Sequence, residues 1–160
     1  MKKLCVLSDS HGFIHQEIIQ IANQSDIVIH AGDIIDQSTL QQLRPKEKLV
    51  AIQGNNDAHL SALNTVEVLQ FSSGKIAIEH GHKHGHHQPS HDSLRSTYPD
   101  AKVIIYGHTH KQVIDDSQQP WVINPGAAGN IRNHGGAKCL TIEISDNAHW
   151  IITPHVFSEN

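Results

Sequence analysis

A chain of 160 residues with 38% apolar content can bury one core without disulfides, and its apolar runs are far shorter than the roughly 20 residues a bilayer-spanning helix needs. Twelve Lys and Arg against sixteen Asp and Glu leave a net charge of -4 with no basic run beyond Lys2-Lys3, which argues against nucleic-acid binding by phosphate neutralisation. Two cysteines exclude a disulfide framework or a Cys-rich zinc site, whereas fifteen histidines raise the expectation of metal chemistry, since neutral imidazole is the commonest ligand for transition metals.

The N-terminal apolar run meets Asp9 and His11 too soon for a signal sequence, so the expected compartment is the cytoplasm. Lys3 to Ser8 reads as a strand, and Phe13 to Gln24, with Ile14, Ile18, Ile21 and Ala22 at helical spacing, as a helix. Asp26 to His30 is a second strand, Ser38 to Leu43 a polar helix, and Leu49 to Gln53 a third strand. Strands alternating with helices predict right-handed parallel crossovers.

Antiparallel pairing enters after Gly54, with Val66 to Phe71 and Lys75 to Glu79 joined at Ser73-Gly74. A short helix over Ser90 to Tyr98 stops at Pro99, and Lys102 to Tyr106 is a buried strand. Further strands fall near Val113, at Trp121 to Asn124, Lys138 to Ile144 and His149 to Thr153. No internal repeat or linker interrupts residues 1–160, which read as one domain of two packed sheets with helices outside.

Polar residues cluster where strands end: Asp9-Ser10-His11, Gly32-Asp33, Gly54-Asn55-Asn56-Asp57, His80-Gly81-His82 and Gly107-His108-Thr109-His110. Each piece alone is an ordinary loop sequence. Together they are specific, because in sheets of this kind ligands bind beyond the carboxyl ends of the strands, where all five loops can converge. Residues at i and i+2 of an extended strand point to opposite faces, so Asp9 with His11, and His108 with His110, need turning backbone to share a site, with Gly12 and Gly107 supplying freedom. Two cations about 3.5–4 Å apart need an anionic bridge, for which Asp33 is the choice. Oxygen and imidazole donors without thiolate suit manganese, nickel, iron, cobalt or zinc better than magnesium or calcium.

In this order the motifs resemble the calcineurin-like metallophosphoesterase superfamily, from Asp9 to His110. The shortness of the chain, His80-Gly81-His82 and Asn124-Pro125-Gly126 are similar to its small bacterial and archaeal phosphodiesterase branch. The resemblance implies a four-layer αββα sandwich of two mixed sheets flanked by helices. It implies one divalent ion held by Asp9, His11, Asp33 and His110 and a second by Asp33, Asn55, His80 and His108, manganese first among the candidates. The implied reaction is hydrolysis of a small phosphate ester, a diester before a monoester, by a hydroxide bridging the two ions, and the branch suggests a homo-oligomer. The chain departs at Asn56, where larger members carry a His that protonates the leaving oxygen. Asn cannot act as that acid, which shifts the role towards His82, with Asp57 orienting the loop.

Arg132, in a Gly-rich loop after Pro125, is the candidate phosphate-binding side chain. His84, His86, His87 and His91, in a stretch that includes Lys83, Gly85 and Pro89, read as a solvated rim loop. The competing reading is a non-catalytic protein-binding scaffold of the same fold. Asp33 favours the enzyme, because the retromer scaffold relative carries Asn at the bridging position.

Overall fold

The computed structural model describes residues 1–158. β1 (Lys2–Leu7) leads through the first polar loop to α1 (Gln16–Asn23), then to β2 (Ile27–His30) and β3 (Lys48–Ala51). β2 lies parallel to β1, with Leu4 opposite Ile27 and Leu7 opposite His30, and β3 lies parallel to β2. The antiparallel strands β9 (Ala137–Ile144) and β10 (Trp150–Phe157) complete this sheet in the order β10-β9-β1-β2-β3. The second sheet runs β4 (Val66–Phe71), β5 (Gly74–Glu79), β6 (Val103–Ile105), β8 (Trp121–Pro125), β7 (Gln112–Asp115). β5, β6 and β8 are mutually parallel and the two outer strands antiparallel. α2 (His91–Thr97) lies between β5 and β6 in sequence.

Alternation along the strands separates three cores. Leu4, Val6, Ile29, Ile78, Ile105 and Ile142 meet between the sheets, with Trp150 among them. Cys5, Leu7, Val28 and Cys139 face the other way, against Ile14, Ile18 and Ala22 of α1 and its approach. Ala77, Ile104, Tyr106 and Val122 pack outward around Leu94 of α2. The layers are therefore helix, sheet, sheet, helix, as expected for an αββα sandwich. No helix among the described residues is long and apolar enough to cross a membrane.

Element boundaries depart from the sequence reading where capping decides them. α1 begins at Gln16 rather than near Phe13, because the His15 ring accepts the Glu17 amide at 3.1 Å and the His15 amide is held by Ala128 O. The polar segment over 37–42 is a 3-10 turn capped by Asp36, not an α-helix. In the β4–β5 hairpin the turn is Ser72-Ser73, and Gly74 already pairs with Phe71.

Candidate metal centre

The loops that follow β1, β2, β5 and β6 meet at one edge of the sandwich, and their ligand-type residues sit on left-handed backbone. Asp9, His11, Asp33, His108 and His110 have φ of 52°, 47°, 58°, 74° and 64°. Each such residue costs about 1–2 kcal/mol against ordinary backbone, so the surroundings must hold it there. They do: Asp9 N donates to Gly32 O at 2.9 Å, His11 N to Asp33 O at 3.0 Å and Gly12 N to Ile34 O at 2.9 Å, zipping the first two loops together. This turn lets residues two apart share one site. Gly12 (φ 86°) helps as expected, but Gly107 serves differently. A side chain there would strike Ser8 Oγ and approach Asp9 Oδ2 at 2.7 Å, so glycine is needed for close packing.

At Asp9, His80, His108 and His110 one side-chain atom is held and another is left free. Asp9 Oδ2 accepts from Ser8 Oγ at 2.8 Å and from His108 N at 3.0 Å, while Asp9 Oδ1 is buried without a partner. A ring nitrogen bonded to a carbonyl oxygen must carry the hydrogen, which leaves the other nitrogen as a lone-pair donor. His80 Nδ1 donates to Ala31 O at 2.8 Å and His110 Nδ1 to Ile131 O at 2.8 Å, freeing both Nε2 atoms. His108 is turned the other way: its Nε2 donates to His86 O at 2.5 Å, leaving Nδ1 as the free nitrogen. His11 Nε2 and His80 Nε2 are buried without partners.

These atoms fall into two overlapping trios, Asp9 with His11 and His110, and Asp9 with Asp33 and His80, the ligand atoms of each lying within 4.8 Å of one another. Asp9 Oδ1 lies 3.5 Å from His110 Nε2 and 3.7 Å from His80 Nε2. Asp33 Oδ2 lies 3.6 Å from His11 Nε2 and 3.4 Å from His80 Nε2. Both carboxylates thus reach across the two trios. Asp33 is the expected bridge, and the fully buried Asp9 stands beside it in reach of both trios. Orphaned buried oxygen and nitrogen atoms at these spacings fit divalent cations, which satisfy donors too far apart to bond each other.

The two buried carboxylates and His80 shift one another's protonation. Burial pushes Asp9 up to about 6 although His80 opposes it. Burial also works on His80 and Asp33, but there their mutual attraction wins, raising His80 to about 9 and holding Asp33 well below the usual carboxylate range. His110 is lowered to about 4 by burial, and the Arg132 charge adds to the effect.

Asn55, His86, His87, His108, Lys111 and Arg132 line a cleft of about 400 Å³ that opens beside Asp33. Asn56 spends its polar atoms on Asp33, its amide donating at 3.0 Å and its side chain at 2.9 Å. Asp57, expected among the catalytic group, is fully buried away from the cleft: its carboxylate accepts Ile34 N, Ile35 N and Gly54 N at 2.8–3.0 Å. It clamps the second loop to the third and is a positioning residue. His82 keeps Nδ1 buried without a partner, its ring 5.6 Å from His80 and 6.1 Å from His108. Arg132 is exposed at the mouth on left-handed backbone (φ 48°).

Two features escaped sequence reasoning. His30, the last residue of β2, is fully buried: its Nδ1 accepts Gly32 N at 3.2 Å, so Nε2 donates to Ser10 Oγ at 2.8 Å. Burial lowers it to about 4, which keeps the ring neutral beneath the first two loops. A His ending an apolar strand is the only signal. The histidine stretch, read as a solvated rim, keeps His86 and His87 exposed but is anchored at His84 and His91. His84 bonds Ser93 Oγ at 2.7 Å and pairs with Glu79 at 2.9 Å, and His91 bonds Asp115 at 2.6 Å and Tyr106 OH at 2.8 Å.

The calcineurin-like phosphoesterase superfamily domain matches residues 1–147. A probable metallophosphoesterase of Methanocaldococcus jannaschii is 31% identical over 131 residues, covering 76% of this chain but 66% of that protein, just under two thirds of its length. A phosphodiesterase of the same organism is 30% identical over 139 residues, covering 78% of this chain and 82% of that protein. The crystal structure of Chaetomium thermophilum Vps29 superposes with a TM-score of 0.78 over 99% of this chain and 98% of that one, at 14% identity, a likeness of fold. With the motif order, the αββα layers and the paired ligand trios in agreement, the chain belongs to the calcineurin-like phosphoesterase superfamily, whose members use divalent metals to hydrolyse phosphate esters.

Proposed function

We propose that the protein is a dinuclear metal-dependent phosphodiesterase acting on a small phosphate ester. The observation that carries this reading is the set of buried, unpartnered ligand atoms, Asp9 Oδ1, His11 Nε2 and His80 Nε2, with Asp9 Oδ2 and His80 Nδ1 held by other groups. Asp9, His11, Asp33 and His110 would hold one ion and Asp33, Asn55, His80 and His108 the other, with Asp33 shared between them. Manganese leads the candidates, followed by nickel, iron, cobalt and zinc. Bound ions would supply charge to the phosphoryl oxygens and acidify a water.

The chain's own residues do the rest. Asn56 orients the Asp33 carboxylate through two hydrogen bonds. Asp57 locks the loops that present Asp33 and Asn55. Arg132 offers a fixed cation to the substrate phosphate at the cleft mouth. An amide cannot supply a proton, so the role of acid towards the leaving oxygen falls to His82, whose ring lies 5.6 Å from His80 and 6.1 Å from His108.

The test is hydrolysis of a chromogenic phosphodiester and its matching monoester with and without added manganese. Activity that needs the metal, prefers the diester and is lost in Asp33→Asn and His80→Ala supports the reading. Turnover of neither ester above the Asp33→Asn background turns attention to a protein-binding scaffold, the reading that the likeness to Vps29 favours.

A further inference from the structure

The stretch from His84 to Ser90 reaches the site through the His86 carbonyl and the His86 and His87 side chains at the cleft, and it is tied down at several points. His84 N donates to Gly81 O at 3.0 Å and Ser90 N to His84 O at 2.9 Å, closing the segment on itself. The His84 ring spans Ser93 Oγ at 2.7 Å and Glu79 Oε1 at 2.9 Å, the ring and carboxylate side chains being only 12% and 10% exposed. Glu79 also accepts from the Tyr98 hydroxyl at the end of α2. Gly85 (φ 141°) cannot be replaced freely, since a side chain there would strike Gln88 O and lie 3.4 Å from Pro89 Cα.

What these anchors position is one atom. His86 O accepts the His108 Nε2–H at 2.5 Å, and the two rings lie 5.4 Å apart. His80 and His110 receive the equivalent service from Ala31 and Ile131, residues of loops that already carry or adjoin the site. His108 takes it from the continuation of the loop that carries His80 and His82. We propose that the His84–Ser90 segment is an outer shell of the metal centre, in which His84 positions the His86 carbonyl so that it selects the His108 tautomer with Nδ1 free to bind a cation.

The inference rests on the two-ion reading above. His84, Glu79 and Gly85 are positioning residues, since none touches the cation or the substrate. Losing an outer-shell partner of a metal-bound histidine typically weakens binding by about 10-fold to 100-fold. Because His108 belongs to only one proposed ligand set, the loss should fall on one ion and spare the other, a pattern that general destabilisation does not produce.

The experiment measures manganese stoichiometry and affinity per chain by titration and elemental analysis, with circular dichroism to follow the fold, in wild type, His84→Ala and Gly85→Ala. His84→Gln, which keeps one hydrogen bond to Glu79, guards against loss of fold. The expected result is two ions on wild type, with one of them weakened about 10-fold to 100-fold in His84→Ala and Gly85→Ala and less in His84→Gln. Two ions bound with unchanged affinity in these variants, or both weakened equally, overturns the proposal while the two-ion reading stands. A wild type that binds a single ion overturns that reading itself, and the proposal with it.

Discussion

Asp57 shows how much one buried side chain can carry at the residue scale. Its carboxylate accepts three backbone amides from two loops, and the bonds from Ile34 N and Gly54 N are buried. Each amide left unsatisfied costs about 1–3 kcal/mol, so Asp57→Ala should lose about 3 kcal/mol or more. At about 2–4 °C per kcal/mol for a domain of this size, thermal denaturation should show a midpoint lower by about 10 °C. Metal affinity should fall with it, because Ile34 and Ile35 directly follow Asp33. His82 is tested differently. If it protonates the leaving oxygen, His82→Gln should slow an alkyl diester by about 100-fold or more and a p-nitrophenyl diester far less, since a good leaving group needs no acid. Equal slowing of both esters would remove His82 from that role.

At the scale of elements, the approach of β6 to β1 depends on a missing side chain. Gly107 brings the loop after β6 so close to Ser8 and Asp9 that any Cβ collides with their side chains. Gly107→Ala should therefore displace Asp9 Oδ1 and cost manganese affinity at least about 10-fold, read by titration, with circular dichroism unchanged because the strands themselves are not touched. α2 is docked by another device. Asp115 on β7 meets His91 at 2.6 Å and Arg95 at 3.1 Å, one at each end of the helix. The Ser117 hydroxyl, then His91, hold the Asp115 carboxyl well below its usual 3.8. A carboxylate depressed on folding contributes stability that is complete above its unfolded pKa and is lost as pH falls below it. Urea melts at pH 5 and pH 3 should show the wild type losing more stability than Asp115→Asn on acidification.

On the scale of the whole molecule, cations that bind only the folded chain must stabilise it. An ion at 100 times its dissociation constant contributes about 2.7 kcal/mol, and the midpoint should rise by about 5–10 °C with manganese and return with chelator. Asp33→Asn should show a smaller rise. The layers and most strands were legible in the linear chain, because alternation and helical spacing report which face each side chain buries. The convergence of Asp9, His11, Asp33, His80 and His110 was legible for a related reason: polar residues at the ends of apolar strands have nowhere to go but the shared edge. Hidden were the facts that depend on what lies opposite. Left-handed φ at five ligand-type residues, Asp57 as a clamp, His30 beneath the loops and the His86 carbonyl against His108 all arise from contacts between segments distant along the chain. Composition and periodicity decide what is buried; only packing decides which atom of a buried polar group is spoken for, and so which atom is left for a ligand.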